Sequence, residues 1–391
     1  MEHHEVLIVG GGNAGISLAA RLLRDGAQDV AVVESQPVHR YRPLLNYVGA
    51  GEATMASLER PAAEVVPDGC TWIRDHVVAV DAGGPSVLTR DGPRIDCSTL
   101  VLCPGLEEDW GSTPGLSESY AAGWAGSTFV VDTAPGVWPA LRELSGGRVV
   151  FTLPPEPAPC GATALKPLFM ACDHWRRTGV LQDLDIRLVL PGPSPLGVPA
   201  ADKLLERDAG VLRRAGAARG SGYRSRQPPG HRGHPREQPG TGRPRVCARR
   251  PPLPGPSVDR GERPRRRDGG RPGGRRPGTL RHRRHAAVWS LGDVADLATR
   301  PSGGALRKQV AVLAHNIGVA ETAPFKHYDG YTVMPITVAR HRLMLVEVDR
   351  DGRPAPTVPF PDLVRPRRAT WWVDRYALPV TYFRRILRGK V

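Results

Sequence analysis

The residue types best suited to chemistry lie near the start of the chain, where three glycines and one acid follow a fixed spacing. Gly10, Gly12 and Gly15 spell G-x-G-x-x-G directly after an apolar segment, and Glu34 ends a second apolar segment. In a dinucleotide-binding unit the first glycine makes the tight turn and the second lets the backbone approach a pyrophosphate. The third glycine packs a helix against the strand, and the acid accepts a hydrogen bond from a ribose hydroxyl.

The elements around this loop are those that the chemistry requires. Apolar periodicity predicts strands over residues 5–9 and 30–33, with a helix over 16–23 between them. Asn13 and Ala14 complete the motif at the start of that helix, where free backbone N–H groups can bind phosphates. A strand, a helix, a strand and an acid within about 30 residues together predict one dinucleotide at this unit.

A second β-α-β unit is predicted further along the chain, and it lacks this loop. Its strands are predicted over 148–153 and 185–190, with a helix over 162–178. The intervening segment 154–162 reads PPEPAPCGA, in which prolines replace the N–H donors that phosphates need. The predicted fold class is therefore α/β with two Rossmann-like units, of which only the first binds a dinucleotide.

Length and composition limit the class of protein. A chain of 391 residues suits two or three domains. No apolar run reaches the roughly 18 residues of a spanning helix, and the chain enters its first strand too early to hold a signal peptide. The six cysteines form no C-x-x-C pair, which favours a reducing cytoplasm and gives no sign of a metal site.

The net charge of +15 comes almost wholly from one block, residues 217–277. This block holds 17 Arg, no Lys, four acids, 12 Gly and 12 Pro, so it has too few apolar residues to offset its chain entropy. It could be a basic disordered insertion that binds nucleic acid or an anionic membrane, or an inert linker. The preferred interpretation is a shifted reading frame, because ordinary sequence stops near 212–216 and resumes abruptly at 278–282.

Several segments resemble the sulfide:quinone oxidoreductases, especially their mitochondrial-like branch, within the flavoproteins that have two dinucleotide-binding domains. The segment HRYRPLLNYVGAG at 39–51 is similar to the H-x-Y-x-P-L…V-G-A-G pattern of that family. Further similar segments lie at 292–297, 307–309, 328–332, 358–361 and 387–389. The resemblance implies that FAD binds the first unit, that Gly292 and Asp293 meet its ribityl chain and phosphate, and that Lys308 also binds the cofactor.

The resemblance also implies a division of the chain into five parts. The FAD-binding Rossmann part spans 1–110 and the second Rossmann-like unit 111–216. The anomalous segment follows at 217–277, a return to the FAD domain at 278–325, and a region facing quinone and membrane at 326–391.

Two cysteines flank the flavin in that family, and this chain keeps one of them. Cys160 matches the thiol that takes sulfane sulfur, and a position before a helix start favours its thiolate. Met334 stands where the second cysteine is expected, and a thioether cannot act as a thiolate or close a disulfide. Cys172 lies about 18 Å from Cys160 along a continuous helix, too far for a disulfide, whereas Cys103 remains a possible substitute.

The tail at 365–391 interleaves basic and aromatic residues. This pattern is typical of a helix on an anionic bilayer surface, from which an enzyme would reach a quinone. The alternatives are an amphipathic helix packed on the body of the protein and aromatic side chains that line a quinone pocket.

The sequence therefore predicts an FAD-dependent enzyme that passes electrons from sulfide or a related sulfur compound to a membrane quinone. Its expected location is cytoplasmic, on the inner face of the cell membrane, with no nucleic-acid partner. The alternatives are an NAD(P)H:quinone-type reductase, a non-catalytic flavoprotein because of Met334, and a basic nucleic-acid-binding protein acting through 217–277.

Overall fold

Two mainly parallel sheets flanked by helices form the structure of this protein. The computed structural model describes residues 2–154, 158–159, 162, 165–208, 245–247, 278–319, 323–358 and 362–390. Both sheets contain the β-α-β units that the sequence predicts, so the α/β fold class with two Rossmann-like units is confirmed.

The described strands and helices are as follows. The strands are β1 (Glu2–Val9), β2 (Val30–Val33), β3 (Val38–Arg40), β4 (Glu59–Pro61), β5 (Cys70–Ile73), β6 (Val77–Asp81), β7 (Ser86–Thr89), β8 (Arg94–Leu102), β9 (Ala125–Gly126), β10 (Gly147–Thr152), β11 (Leu184–Val189), β12 (Arg245–Cys247), β13 (Val288–Ser290), β14 (Thr332–Ala339) and β15 (Arg342–Val348). The α-helices are α1 (Asn13–Arg24), α2 (Leu45–Val48), α3 (Met55–Leu58), α4 (Ala62–Val65), α5 (Leu116–Ala121), α6 (Ala134–Arg142), α7 (Leu165–Thr178), α8 (Pro199–Asp208), α9 (Leu306–Gly318), α10 (Arg368–Trp372) and α11 (Leu378–Arg384).

The first sheet has the order β5-β2-β1-β8-β7-β6, and β13 also pairs with β8. Strand β8 pairs with β1 on one edge and, because it is long, with both β7 and β13 on the other. Ile95 pairs antiparallel with Val87 of β7, and Leu100 pairs parallel with Val288 of β13. The almost continuous apolar run of β2 is buried throughout, as expected for a central parallel strand covered on both faces. Helices α1 and α9 pack together over one face of this sheet.

The second sheet has the order β11-β10-β12-β9, with all three pairings parallel. Its third strand comes from the arginine-rich block, because Arg245–Cys247 lies between β10 and β9. The rest of that block, 217–244 and 248–277, lies outside the described residues. The shifted reading frame therefore stays a hypothesis.

An antiparallel hairpin of β14 and β15 packs on α7 of the second unit. The sequence analysis did not predict it, although Met334, Ile336 and Val338 recur at the two-residue spacing of a strand with one buried face. These side chains share an apolar cluster with Leu165 and Leu168 of α7. The hairpin thus lies against the helix that follows Cys160.

The C-terminal tail continues through α10, a π-helical stretch at Val373–Ala377 and α11, and one of its sides packs on the body of the protein. Lys166 of α7 donates a hydrogen bond to Asp374 at 2.9 Å, and their side chains are only 1% and 4% exposed. The Tyr47 hydroxyl donates to the same carboxylate oxygen at 2.7 Å. Of the three expectations for the tail, packing on the body of the protein is therefore met on this side.

The other side of the tail is exposed and apolar. Trp372, Val373, Tyr376 and Val380 all face solvent at about the spacing of one helical face. Among the described residues, no helix combines the length and the apolar content that crossing a bilayer requires.

We expect the Lys166–Asp374 pair to control the stability of the docked tail. Asp374→Ala leaves a buried ammonium without a counter-charge, so the free energy of unfolding should fall by about 3–5 kcal/mol. Denaturant titration measures this change. The control is Lys166→Met combined with Asp374→Leu, which should recover most of the loss because neither charge remains. An Asp374→Ala protein whose free energy of unfolding lies within about 1 kcal/mol of the parent value would contradict the expectation.

Candidate cofactor site

The glycine loop between β1 and α1 has a backbone that tolerates no side chain at two of its positions. Gly10 has a φ of +104°, and a Cβ there would lie 2.5 Å from the carbonyl oxygen of Cys103. A Cβ on Gly15 would lie 1.9 Å from the carbonyl oxygen of Gly10. At Gly12, in contrast, a Cβ would meet no heavy atom within 4 Å. The loop is therefore closed on its protein side and open where a pyrophosphate would approach.

The start of α1, which the structure describes completely, offers its N–H groups to a ligand. Gly12 is the N-cap residue and makes no side-chain capping bond, and the first turn contains no acidic residue. The Asn13 side-chain oxygen accepts from the Ser17 hydroxyl at 3.1 Å instead of capping the helix. Free N–H donors and the positive end of the helix dipole favour a phosphate here.

Glu34 is held beside the loop at the end of β2. Its carboxylate accepts from the Gly11 N–H at 2.8 Å and from the Gln36 N–H at 2.7 Å. The Trp72 indole N–H donates to the Glu34 carbonyl oxygen at 3.0 Å, which fixes the strand end further. The carboxylate is thus oriented where a ribose hydroxyl is expected in this fold.

The predicted pair Gly292-Asp293 follows β13 and lies close to the glycine loop. A Cβ on Gly292 would lie 3.3 Å from the Cβ of Ala14, and its φ of +80° suits glycine. The Gly292 N–H donates to the side-chain oxygen of Gln309 at 2.9 Å. Asp293 lies in the following 3-10 turn, partly exposed. The fold thus brings the predicted residue Gly292 against the start of α1.

Lys308 is arranged differently from the other predicted cofactor residues. Its ammonium lies 2.6 Å from the Asp329 carboxylate and 4.4 Å from the centre of the Tyr331 ring. These contacts belong to α9 and the segment before β14, so a contact between Lys308 and the cofactor stays a prediction.

Of the two predicted redox positions, the structure describes only Met334, on the hairpin that packs against α7. Cys160 lies outside the described residues, and its role as the reactive thiol stays a prediction. Met334 is buried in the same apolar cluster as Ala162 and Leu165, which follow Cys160 in the chain. An Arg300 guanidinium nitrogen lies 3.3 Å from the Met334 sulfur.

Neither Cys103 nor Cys172 is suited to replace the missing cysteine. The Cys103 thiol is buried beneath the glycine loop, donates to the Gly10 carbonyl oxygen at 3.5 Å, and has its pKa raised by burial. Burial also raises the pKa of Cys172 to about 12. Both groups therefore remain thiols near neutral pH, whereas the thiolate is the nucleophile.

A buried histidine that the site prediction omitted connects the loop to the tail. His39 Nδ1 lies 3.1 Å from the Gly11 carbonyl oxygen, and its Nε2 lies 2.6 Å from the Tyr382 hydroxyl. Because a carbonyl only accepts, Nδ1–H donates to Gly11, and Nε2 accepts from Tyr382. Burial lowers the pKa of His39, which keeps the imidazole neutral. His39 begins the family-like segment, but no sequence pattern indicates its partner in α11.

A second omitted group, Glu52, fixes the hairpin turn to the tail. Its carboxylate lies 3.2 Å from Arg340 and accepts from the Trp371 indole N–H at 3.2 Å. Burial raises the pKa of Glu52 against the opposing effect of Arg340. In the sequence, Glu52 could have been noticed because it directly follows the family-like segment 39–51.

Comparison with known proteins agrees with this geometry. Residues 4–133 match the family model described as pyridine nucleotide-disulphide oxidoreductase. The chain is 28% identical to mouse mitochondrial sulfide:quinone oxidoreductase over 99% of this chain and 87% of that protein. It is 27% identical to the Dictyostelium discoideum protein of the same name over 99% and 86%. The solved sulfide:quinone oxidoreductase of Aquifex aeolicus shares the fold at 16% identity, with a TM-score of 0.76 over 100% of this chain and 92% of that chain.

The fold, the open glycine loop and the returning Gly292 define an FAD-binding oxidoreductase of the two-dinucleotide-domain class. Within that class, the chain is similar over almost its whole length to the sulfide:quinone oxidoreductases.

The loop geometry separates two glycine substitutions. Gly12→Val should leave the protein folded but abolish FAD uptake, because the side chain fills open space that the pyrophosphate needs. Gly15→Val should destabilise the fold itself, because its Cβ overlaps the Gly10 carbonyl. Visible flavin absorbance and far-ultraviolet circular dichroism measure the two effects separately. A yellow Gly12→Val protein with normal flavin content would refute the assignment.

The buried His39 predicts a pH-dependent loss of stability. Because its folded-state pKa lies below the ordinary value of 6.5, the unfolded state binds more protons, and stability falls as the pH drops from 6.5 towards the lowered folded-state pKa. His39→Gln should flatten this dependence, since glutamine can still donate to Gly11 without titrating. Tyr382→Phe keeps the imidazole and should retain the slope. Equal slopes for parent and His39→Gln in denaturant titrations would contradict this.

Proposed function

We propose that this protein passes electrons from sulfide or a related small sulfur compound to a membrane quinone. The observation that carries the proposal is a single complete dinucleotide site, formed by the glycine loop, Glu34 and Gly292. The corresponding segment of the second unit, 154–162, has no glycine fingerprint for a nicotinamide cofactor. Similarity to sulfide:quinone oxidoreductases over almost the whole chain supports the same assignment.

The flavin, when bound, supplies the redox step by accepting an electron pair from the sulfur compound and donating it to the acceptor. The chain contributes the residues that bind and orient the reactants. The start of α1 would hold the pyrophosphate, Glu34 would bind the ribose, and Asp293 would bind the ribityl chain and phosphate. We assign the reactive thiol to Cys160, because it precedes a helix in the sequence and a helix start favours a thiolate.

Met334 limits this chemistry. A thioether cannot form the thiolate that a two-cysteine relay needs, so a sulfur compound reacts with the flavin directly or through Cys160 alone. The surroundings of position 334 nevertheless suit a thiolate. The Arg300 guanidinium beside the sulfur would stabilise the anion of a cysteine placed there.

Variants at the two redox positions test the proposal. Met334→Cys should raise sulfide:quinone turnover, and Cys160→Ser should remove most of the parent activity. Anaerobic flavin bleaching by sulfide measures both, with Cys172→Ala as a control that removes a buried thiol from α7. Bleaching by Cys160→Ser at the parent rate would exclude Cys160 as the nucleophile. No gain in Met334→Cys would point to a different electron donor.

Two alternatives within the same fold have distinct outcomes in that experiment. Flavin bleaching by NADH but not by sulfide would favour an NAD(P)H:quinone-type reductase. A flavin that neither donor reduces would favour a non-catalytic flavoprotein, in keeping with the loss of the second cysteine at Met334.

We place the protein on a membrane surface, on the inner face of the cell membrane. The support is the exposed side of the tail, where Trp372, Val373, Tyr376 and Val380 face solvent beside basic residues. Aromatic and basic side chains together suit the headgroup region of an anionic bilayer.

Sedimentation with anionic vesicles tests this placement. Trp372→Ser combined with Val380→Ser should weaken binding roughly tenfold or more, because two apolar side chains no longer enter the bilayer. Val78→Ser combined with Leu88→Ser is the matched control on β6 and β7. The four side chains are 57%, 53%, 54% and 46% exposed, respectively. Equal vesicle binding by both double variants would exclude attachment through the tail.

A further inference from the structure

A basic cavity of about 560 Å³ lies where the end of the tail meets the C-terminal half of α1. Its lining joins two segments that are far apart in the sequence. The residues that line it are Arg21, Arg24, Asp25, Arg385, Gly389 and Lys390.

Backbone packing at Gly389 brings these charges together. Gly389 has a φ of +63°, and a Cβ there would lie 2.7 Å from the carbonyl oxygen of Ala20. The final turn therefore lies directly against the backbone of α1. The Lys390 N–H donates to the Arg385 carbonyl oxygen at 2.9 Å, which closes that turn and places both basic side chains at the cavity.

The cavity has an excess of positive charge. Arg21 pairs with Asp25 at 2.8 Å, which accounts for the single carboxylate of the lining. In the part of the chain that the structure describes, Arg24, Arg385 and Lys390 form no ion pair with a carboxylate. Three clustered cations repel one another and attract an anion into the space between them.

A second cavity of about 760 Å³ adjoins the first and shares Arg24 and Lys390 with it. Its walls include the apolar side chains Leu23, Val66 and Phe383, and the acidic residues Glu64 and Asp68 lie at this end, away from the first cavity's lining. The two cavities together form an amphipathic groove, basic at one end and partly apolar at the other. Arg384, which also lines the second cavity, lies one turn beyond Val380 of the exposed apolar side of the tail.

We propose that this groove binds one anionic glycerophospholipid, with the lipid phosphate among Arg24, Arg385 and Lys390. The glycerol and the first methylenes lie along Leu23 and Phe383. A lipid suits the groove better than free phosphate, because the apolar wall and the neighbouring exposed apolar side chains would contact only a lipid. The inference rests on the proposed membrane attachment and adds a specific lipid site to it.

Titration of the FAD-loaded full chain with dihexanoyl phosphatidylglycerol, below its critical micelle concentration, tests the groove without any bilayer. Arg24→Gln combined with Lys390→Gln should weaken binding at least tenfold, since each cation near a bound lipid contributes about a fivefold factor. Arg365→Gln combined with Arg368→Gln removes the same charge outside the lining and should bind as the parent does. Equal binding by parent and groove variant would overturn the proposal.

Two further probes separate the sources of the anion. Inorganic phosphate should bind at least tenfold more weakly than the short-chain lipid, and equal affinity would overturn the lipid assignment. Dihexanoyl phosphatidylcholine should also bind more weakly, because its choline carries a compensating charge. If the parent protein binds the short-chain lipid but not the vesicles, the membrane proposal alone is refuted. If the parent protein binds vesicles but not the short-chain lipid, the proposed lipid site in the groove alone is refuted.

Discussion

The structure depends on a backbone contact at the glycine loop. The carbonyl of Gly10 lies too near Gly15 for a side chain there, and the carbonyl of Cys103 lies too near Gly10 for a side chain at that position. This close approach sets the position of α1 against the first sheet and directs its free N–H groups outward. Gly292 then packs on Ala14, so the returning strand β13 can take only one position relative to the loop. The cofactor site is therefore a consequence of how closely these backbones pack.

Buried polar contacts, rather than apolar packing alone, fix the tail to this framework. His39 spans from the loop to Tyr382, and Asp374 accepts from both Lys166 and Tyr47. Removing such groups from water is costly, and apolar side chains in their place can give an equally stable protein. We therefore infer that these buried polar contacts select one docked arrangement of the tail. The buried polar groups of the tail thus pair with the body of the protein, and the opposite side of the tail is exposed and apolar. The exposed apolar side of the tail and the cofactor loop thus belong to one connected network.

Cys103 and Cys172 do not provide a second reactive thiol for the proposed redox chemistry. Cys103 and Cys172 are buried with raised pKa values, and their environment favours the thiol over the thiolate. Met334 fills the remaining position with an unreactive thioether beside Arg300. An anion-stabilising guanidinium therefore lies next to a sulfur that cannot ionise. That arrangement concentrates the proposed thiol chemistry on Cys160 and on the flavin itself.

The sequence by itself determined the glycine loop, the acid at Glu34 and the order of the β-α-β units, because these depend on residues close together in the chain. The apolar pattern of residues 99–102 indicates only the last part of β8, since the additional length is stabilised by pairing with β7. The sequence also missed the β14–β15 hairpin, and it could not pair His39 with Tyr382 or Lys166 with Asp374, the only acid in an otherwise basic tail. Tertiary structure decided those contacts because each joins distant segments, and only the packed fold excludes water and fixes their partners.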